Sequence, residues 1–294
     1  MSTFRSGFIS IVGKPNVGKS TLMNKLVGEK LSIITSKAQT TRHRIMGIIT
    51  GDDFQVVYSD TPGIIDDPAY KLQESMMQFV RISLEDADVV LLVIEYGEKN
   101  LDYISTQLAK ISVPVVIILN KIDKEQDQSK VLEKVNELKD TFNPKAILPL
   151  SALHGFNTEQ VLPLVKEFLP EHPAYFPEGE MTDKPERFFA SEIIREKIFV
   201  YYKQEIPYAS EVVIMSFKEE KDIIRIIADI LVERDSQKGI MIGKGGIALK
   251  SVGVAARRDM EAFFDKKVYL ELYVKVDKDW RKNDKKLQKF GYQS

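Results

Sequence analysis

The chain contains no cysteine among its 294 residues. Disulfides and thiolate-bound metals are therefore excluded, and a reducing compartment is compatible with the composition. Long apolar runs are missing as well. The longest, Val89–Ile94 and Val113–Leu119, fall far short of the ~20 residues a membrane-spanning helix needs. They suit strands buried inside a parallel sheet. Met1 to Arg5 has no apolar h-region, so no signal peptide is expected. There is no internal repeat and no low-complexity tract. Neither sign of charge dominates: 42 Lys and Arg stand against 43 Asp and Glu. The balance is uneven along the chain. From Ser236 onward roughly 14 basic residues meet about 7 acidic ones, which points to an anionic partner.

The length suits about two domains. Residues 1–169 alternate strand and helix patterns. Strands are expected at 8–12, 44–50, 54–59, 88–94, 114–119 and 146–150, and helices at 19–28, 70–84, 101–111, 129–141 and 158–168. Such alternation predicts an α/β fold, a mostly parallel sheet covered by helices on both faces. Residues 170–187 carry Pro170, Pro173, Pro177 and Pro185 and read as a semi-rigid linker. An α+β domain is expected over 188–294. Its pattern is a helix at 187–203, strands at 210–217 and 222–231, a Gly-rich turn at 239–246, a helix at 247–264 and a strand at 268–275. A short basic segment, Asp279 to Lys289, follows.

Gly13-Lys14-Pro15-Asn16-Val17-Gly18-Lys19-Ser20 is a GxxxxGK[ST] loop between an apolar strand and an amphipathic helix. Such a loop converges backbone N–H groups on a phosphate, and the following helix N-terminus adds partial positive charge. Lys19 is then expected at the β- and γ-phosphates, Ser20 on Mg²⁺ and Thr21 at the α-phosphate. Asp60-Thr61-Pro62-Gly63 ends a later apolar strand. Asp60 is placed to hold Mg²⁺ directly or through water, and the Gly63 N–H to sense the γ-phosphate. Asn120-Lys121-Ile122-Asp123 follows another apolar run. A carboxylate at Asp123 accepts from the N1 and N2 edge of guanine, a donor pair adenine lacks. Ser151-Ala152 fits a backbone contact to guanine O6. The polar stretch Thr35 to Arg44 offers Thr40 or Thr41 as a further Mg²⁺ ligand, with Thr41 preferred. Lys19, Thr41 and Gly63 are the candidate catalytic groups. Asn16 is a candidate ligand for K⁺, whose charge would stabilise the negative charge developing between the phosphates. Ile64 stands where many small GTPases place a water-orienting Gln. Intrinsic hydrolysis is therefore expected to be slow, within a few orders of ~10⁻⁴ to 10⁻² s⁻¹.

In the second half, Gly243-Lys244-Gly245-Gly246 is a GxxG loop flanked by apolar residues. Loops of this kind clamp the backbone of single-stranded RNA. Lys244, Lys250, Arg257 and Arg258 are the candidate phosphate contacts.

The ordered motifs resemble the Era family of bacterial GTPases over essentially the whole chain. The matching stretches include GKPNVGKSTLMNKL (13–26), KAQTTRHRIMGI (37–48), DTPG (60–63), NKID (120–123), SAL (151–153), SEIIREKIF (191–199), EIPYASEV (205–212) and GIMIGKGGIALKSVG (239–253). The resemblance implies a P-loop GTPase domain followed by a KH domain of type II. It also implies GTP and GDP as ligands, and a role in maturation of the small (30S) ribosomal subunit through the 3′ end of 16S ribosomal RNA. A monomer in the cytoplasm is expected, with peripheral association at the inner membrane reported for some members. The alternative is a constitutive RNA-binding protein in which nucleotide is only structural.

Overall fold

The computed structural model describes residues 4–292 apart from Ala109. Met1–Thr3, which bear on the signal-peptide expectation, lie outside the described residues, as do Ala109 of the expected helix 101–111 and the last two residues of the expected second domain. The chain divides into two compact units, and the break in the chain falls between residues 183 and 184.

The first unit is built on β1 (Arg5–Val12), α1 (Lys19–Val27), β2 (Ile45–Gly51), β3 (Phe54–Asp60), α2 (Lys71–Glu85), β4 (Val89–Glu95), α3 (Asp102–Leu108), β5 (Val115–Asn120), α4 (Gln128–Phe142), β6 (Ala146–Pro149) and α5 (Val161–Lys166). Six strands form one sheet in the order β2-β3-β1-β4-β5-β6. Only β2 runs antiparallel to its neighbour. The apolar runs seen in the sequence are its centre: Val89–Ile94 and Ile117–Leu119 are wholly buried. The strand order reverses around β1, which opens a crevice at the carboxyl ends of the strands. Register then sets the chemistry. Ile11 of β1 lies opposite Asp60 of β3, and Glu95 of β4 opposite Asn120 of β5. Two expected helices are shorter than the periodicity suggests. The helix at 101–111 becomes Asp102–Leu108, and that at 158–168 begins as a 3-10 turn, Thr158–Gln160, before α5.

The expected linker is partly a strap. Residues 170–183 belong to the first unit. Buried Gln55 accepts from the Tyr175 and Phe176 N–H groups at 2.8 and 2.9 Å and donates to Phe176 O at 2.9 Å. Ser6 Oγ donates to Pro173 O at 2.6 Å, and Ile48 N donates to Met181 O at 2.9 Å.

The second unit comprises α6 (Glu186–Tyr201), β7 (Glu211–Glu219), β8 (Ile223–Val232), α7 (Asp235–Ile242), α8 (Ile247–Phe264), β9 (Lys267–Val276) and α9 (Asp284–Lys289). The second unit also includes Tyr70–Leu72, at the start of α2. Strand β7 is antiparallel to β8, and β8 is parallel to β9. Alternate residues Ile224, Ile226, Ala228 and Ile230 are buried against Ile194, Ile198, Val252, Ala256 and Met260 of the helices, the period-2 and period-3.6 patterns meeting in one core. The Gly-rich turn expected at 239–246 shrinks to 243–246, because Gly239 sits inside α7. Buried Met241 anchors that helix, and its carbonyl accepts from the Tyr202 hydroxyl at 2.6 Å.

The C-terminal basic segment is anchored rather than loose. Trp280 and Leu287 are fully buried, and Trp280 Nε1 donates to Ala209 O at 3.1 Å. Arg281 pairs with Glu233 and Lys286 with Asp277. Among the described residues no single helix is long and apolar enough to cross a membrane.

Candidate nucleotide site and nucleic-acid interface

The loop after β1 can take its shape only because glycine holds two positions. Gly13 has φ 151°, and a Cβ there would lie 2.3 Å from Val93 O. Gly18 has φ 102°, and its Cβ would lie 2.2 Å from Asn120 Nδ2. Between them the loop curls around Lys19, the first residue of α1. Lys19 is 6 % exposed and its Nζ donates to the carbonyls of Gly13 (3.1 Å) and Lys14 (2.9 Å). Burial pushes its ammonium down to about 8, against the attraction of Asp60 and Glu98. A buried cation at the mouth of a helix is poised for an anion.

Beside it, three oxygen ligands converge from three elements. Ser20 Oγ donates to Asp60 Oδ2 at 2.6 Å and lies 2.9 Å from Thr41 Oγ1. Asp60 is fully buried, and desolvation raises its carboxyl above the usual range although Ser20 and Lys19 favour the charged form. Its Oδ1 is buried with no hydrogen-bond partner among the described residues. An orphaned carboxylate oxygen with two hydroxyls beside it fits a hard divalent cation such as Mg²⁺. Thr40 does not join the three: its hydroxyl donates to Lys37 O at 2.7 Å and sits 2.6 Å from Thr35 Oγ1. Gly63 brings the following loop against the phosphate loop. A Cβ on it would lie 2.7 Å from Pro15 N, and the next N–H, of Ile64, donates to Gly13 O at 3.0 Å.

The far end is organised by Asn120. Its Nδ2 donates to Val17 O at 2.8 Å, and its Oδ1 accepts from Lys121 N at 2.8 Å and Ala152 N at 3.0 Å. One buried amide thus ties the phosphate loop to the two base loops. Ser151 Oγ donates to Asp123 Oδ1 at 2.5 Å, aligning the carboxylate. One cavity of about 380 Å³ joins both ends. Pro15, Asn16, Gly18–Thr21, Thr35, Thr40, Thr41 and Gly63 line one side, and Asn120, Lys121, Asp123, Lys124 and Leu153 the other. Its chemistry suits a nucleoside with several phosphates: cation and N–H groups at one end, an acceptor carboxylate at the other.

In the second unit the GxxG turn leaves α7 through Gly243 at φ 73°, ψ 174°, a region open essentially to glycine. Gly245 and Gly246 are also left-handed, at φ 61° and 78°. A groove of about 340 Å³ runs from Gly246 between α8 and β9, lined by Leu249, Lys250, Gly253, Val254, Arg257, Leu270 and Leu272. Lys244, Lys250, Arg257 and Arg258 are all exposed. Lys250 and Arg257 line that groove, whereas Lys244 and Arg258 do not. Arg258 lines an adjoining hollow with Tyr201, Ile247, Lys250 and Val254.

Comparison with known proteins places both sites in one family. A model described as a 50S ribosome-binding GTPase matches residues 8–121, and a KH domain model matches 205–281. The chain is 46 % identical to GTPase Era of Alkaliphilus oremlandii, covering 99 % of each. It is 44 % identical to GTPase Era of Staphylococcus epidermidis, covering 99 % of this chain and 98 % of that one. The chain belongs to the Era family of GTPases. A crystal structure of Era in complex with MgGDPNP and nucleotides 1506–1542 of 16S ribosomal RNA matches with a TM-score of 0.94 at 38 % identity, covering 99 % of this chain and all of that one. Aquifex aeolicus Era bound to GDP·AlF4⁻ matches with the same score.

Within this Era-family chain Lys14, Val17, Thr61 and Pro62 of the recognised motifs do not line the cavity. Thr61 is fully buried and its hydroxyl donates to Ile11 O at 2.8 Å. Lys14 turns away, its Nζ donating to the carbonyls of Lys99 (3.0 Å) and Asn100 (2.8 Å). Val17 and Pro62 are buried and contribute backbone and packing. The N–H groups of Ser151 and Ala152 donate to Phe156 O and Asn120 Oδ1. The dipeptide thereby also aligns Asp123 and Asn120. Ile33, Ile34, Lys124 and Leu153 line the cavity and were not singled out in the sequence. The only signals for them are their positions, next to the recognised motifs or just before the polar stretch from Thr35.

Proposed function

We propose that this Era-family GTPase is a nucleotide-switched RNA-binding protein that engages the 3′ end of 16S ribosomal RNA and assists its processing and 30S subunit assembly. The observation that carries the switch is the meeting of Ser20, Thr41 and Asp60. Thr41 comes from the polar loop before β2, Asp60 from the end of β3, and Ser20 from the phosphate loop. A ligand bound to all three ties two mobile-by-composition loops to α1, and its γ-phosphate decides whether they stay tied.

Mg²⁺, held by Ser20, Thr41 and Asp60, would neutralise charge on the β- and γ-phosphates. Lys19 adds a desolvated positive charge at the same place, where it is worth more than in water. Asp123, held by Ser151, selects guanine. Ile64 offers no hydrogen bond to a water, so orientation falls to backbone groups around Gly63. Asn16 lines the cavity, and its Nδ2 donates to Ser36 O at 3.1 Å, so its Oδ1 is the side chain's acceptor for K⁺. In the second unit, Gly246, Lys250 and Arg257 line the groove for single-stranded RNA, and Gly243, Lys244 and Gly245 complete the turn that leads into it. We take the chain to act as a cytoplasmic monomer.

The test is filter binding of the 3′ end of 16S ribosomal RNA to the full chain with a non-hydrolysable GTP analogue and with GDP. Tighter binding in one state is expected. Equal affinity in both would favour a constitutive RNA-binding protein instead. Deletion from Glu186 onward should remove specific RNA affinity and keep guanine-nucleotide binding. If the deletion binds RNA as well as the intact chain does, the second unit is not the reader.

A further inference from the structure

At the end of β4, Glu95 faces Asn120 across the sheet register. Its Oε2 accepts from Lys121 Nζ at 2.7 Å and its Oε1 from Lys124 Nζ at 2.6 Å. The same Lys121 ammonium donates to Asn16 O, in the phosphate loop, at 2.6 Å. Asn16 and Lys121 both have left-handed backbone, each with φ 64°. One ammonium therefore pins two bent non-glycine positions, one in the phosphate loop and one in the base loop.

A second carboxylate completes the fork. Glu98 Oε2 accepts from Glu95 N at 3.0 Å, and Glu98 Oε1 lies 3.5 Å from Lys14 Nζ. Neither glutamate lines the cavity. They act on a ligand only through the lysines. Lys121 and Glu95 side chains are about a quarter exposed, at 25 % and 27 %, so their pairing is less screened than a surface ion pair.

We propose that Glu95 is a positioning residue for nucleotide retention, holding Lys121 as a brace between the phosphate loop and the base loop. The inference rests on the guanine-nucleotide reading of the cavity. A bound nucleotide spans those two loops. Escape requires them to part, and parting breaks the Lys121 contact to Asn16 O. With Glu95 in place, Lys121 is held toward Asn16 O. Without it, the ammonium turns to water and the loops separate more often. The brace acts on GDP and GTP alike, because both nucleotides span the phosphate loop and the base loop.

Dissociation of methylanthraniloyl-GDP from the full chain, chased with excess GDP, tests this. Glu95→Gln should release the probe about tenfold faster, while kcat at saturating GTP stays within twofold. Glu95→Asp keeps the charge but falls short of the lysines. Its rate should be intermediate, which keeps the inference testable if Glu95→Gln does not fold. In a Lys121→Met background, Glu95→Gln should add nothing further. An unchanged release rate in Glu95→Gln, or its full effect persisting without Lys121, would overturn the brace. Failure of the unaltered chain to retain the probe would instead overturn the nucleotide reading, and the brace with it.

Discussion

The two units handle charge in opposite ways. In the first, the ionic groups at the phosphate and metal end of the site are buried: Lys19 is 6 % exposed and Asp60 0 %. In the second, Lys244, Lys250, Arg257 and Arg258 stand in solvent. Buried charges are costly until a ligand of the opposite sign arrives, and each then contributes strongly because water is absent. Exposed charges are nearly free to keep, and each contributes modestly through a screened field. The first arrangement suits one small ligand read atom by atom. The second suits a long polyanion whose backbone is held at many points.

The sharpest break in this contrast is at Asp123. Asp123→Asn should move preference from GTP to xanthosine triphosphate by several powers of ten, because an amide donor opposes the guanine N1 and N2 donors and meets the xanthine 2-oxygen. Competition binding reads it, and unchanged guanine affinity would remove Asp123 from base recognition. Next comes Lys19. Lys19→Met should abolish nucleotide hydrolysis and yet stabilise the nucleotide-free chain at pH 7, by on the order of 1–3 kcal/mol. Its folded pKa of about 8 lies below the unfolded 10.5. Between those values the unfolded state holds more protons, so this group's contribution to stability rises with pH from about 8 to 10.5. The difference in melting temperature between the two proteins should shrink across that window. A constant difference would place the Lys19 ammonium in water.

These buried groups are also the ones whose motifs were easiest to read. Their spacing is local and their roles depend on backbone shape that Gly13, Gly18 and Gly63 advertise. The sheet core was legible for the same reason, since Val89–Ile94 and Ile117–Leu119 are runs of one kind. What stayed hidden depends on pairs far apart in sequence. Glu95 and Lys121 are ordinary charges until β4 and β5 set them side by side. Thr61 reads as part of a ligand motif, but its hydroxyl reaches back to Ile11. Gly239 masked α7, because glycine lowers helix propensity whether or not tertiary packing later overrides it. Trp280 and Leu287 sit within a basic stretch, and the charges concealed two buried anchors.

Smaller effects are expected in the second unit. Gly245 is left-handed at φ 61° and a Cβ there meets nothing within 4 Å. Aspartate tolerates that backbone, so Gly245→Asp should fold normally. It should still lower RNA affinity at least tenfold, by placing a negative charge where a phosphate must pass, with guanine binding unaltered. Lys244→Ala is the mildest. It should reduce the salt slope of single-strand binding by about 0.7, the signature of one phosphate contact. A loss of RNA affinity independent of salt would mean that Lys244 shapes the loop rather than meeting a phosphate.

The strap over residues 170–183 has a consequence for solubility. Strand β2 ends the six-stranded sheet, and its outer backbone would present unpaired donors and acceptors to any other strand. Ile48 N is already donated to Met181 O at 2.9 Å and Met46 N to Asp183 Oδ1 at 3.0 Å. The chain has capped its own open edge with a proline-bearing segment that cannot itself continue a ladder. A fragment ending at residue 169 would bare that edge and should self-associate through it, whereas a fragment ending at residue 183 carries its own cap and should stay dispersed.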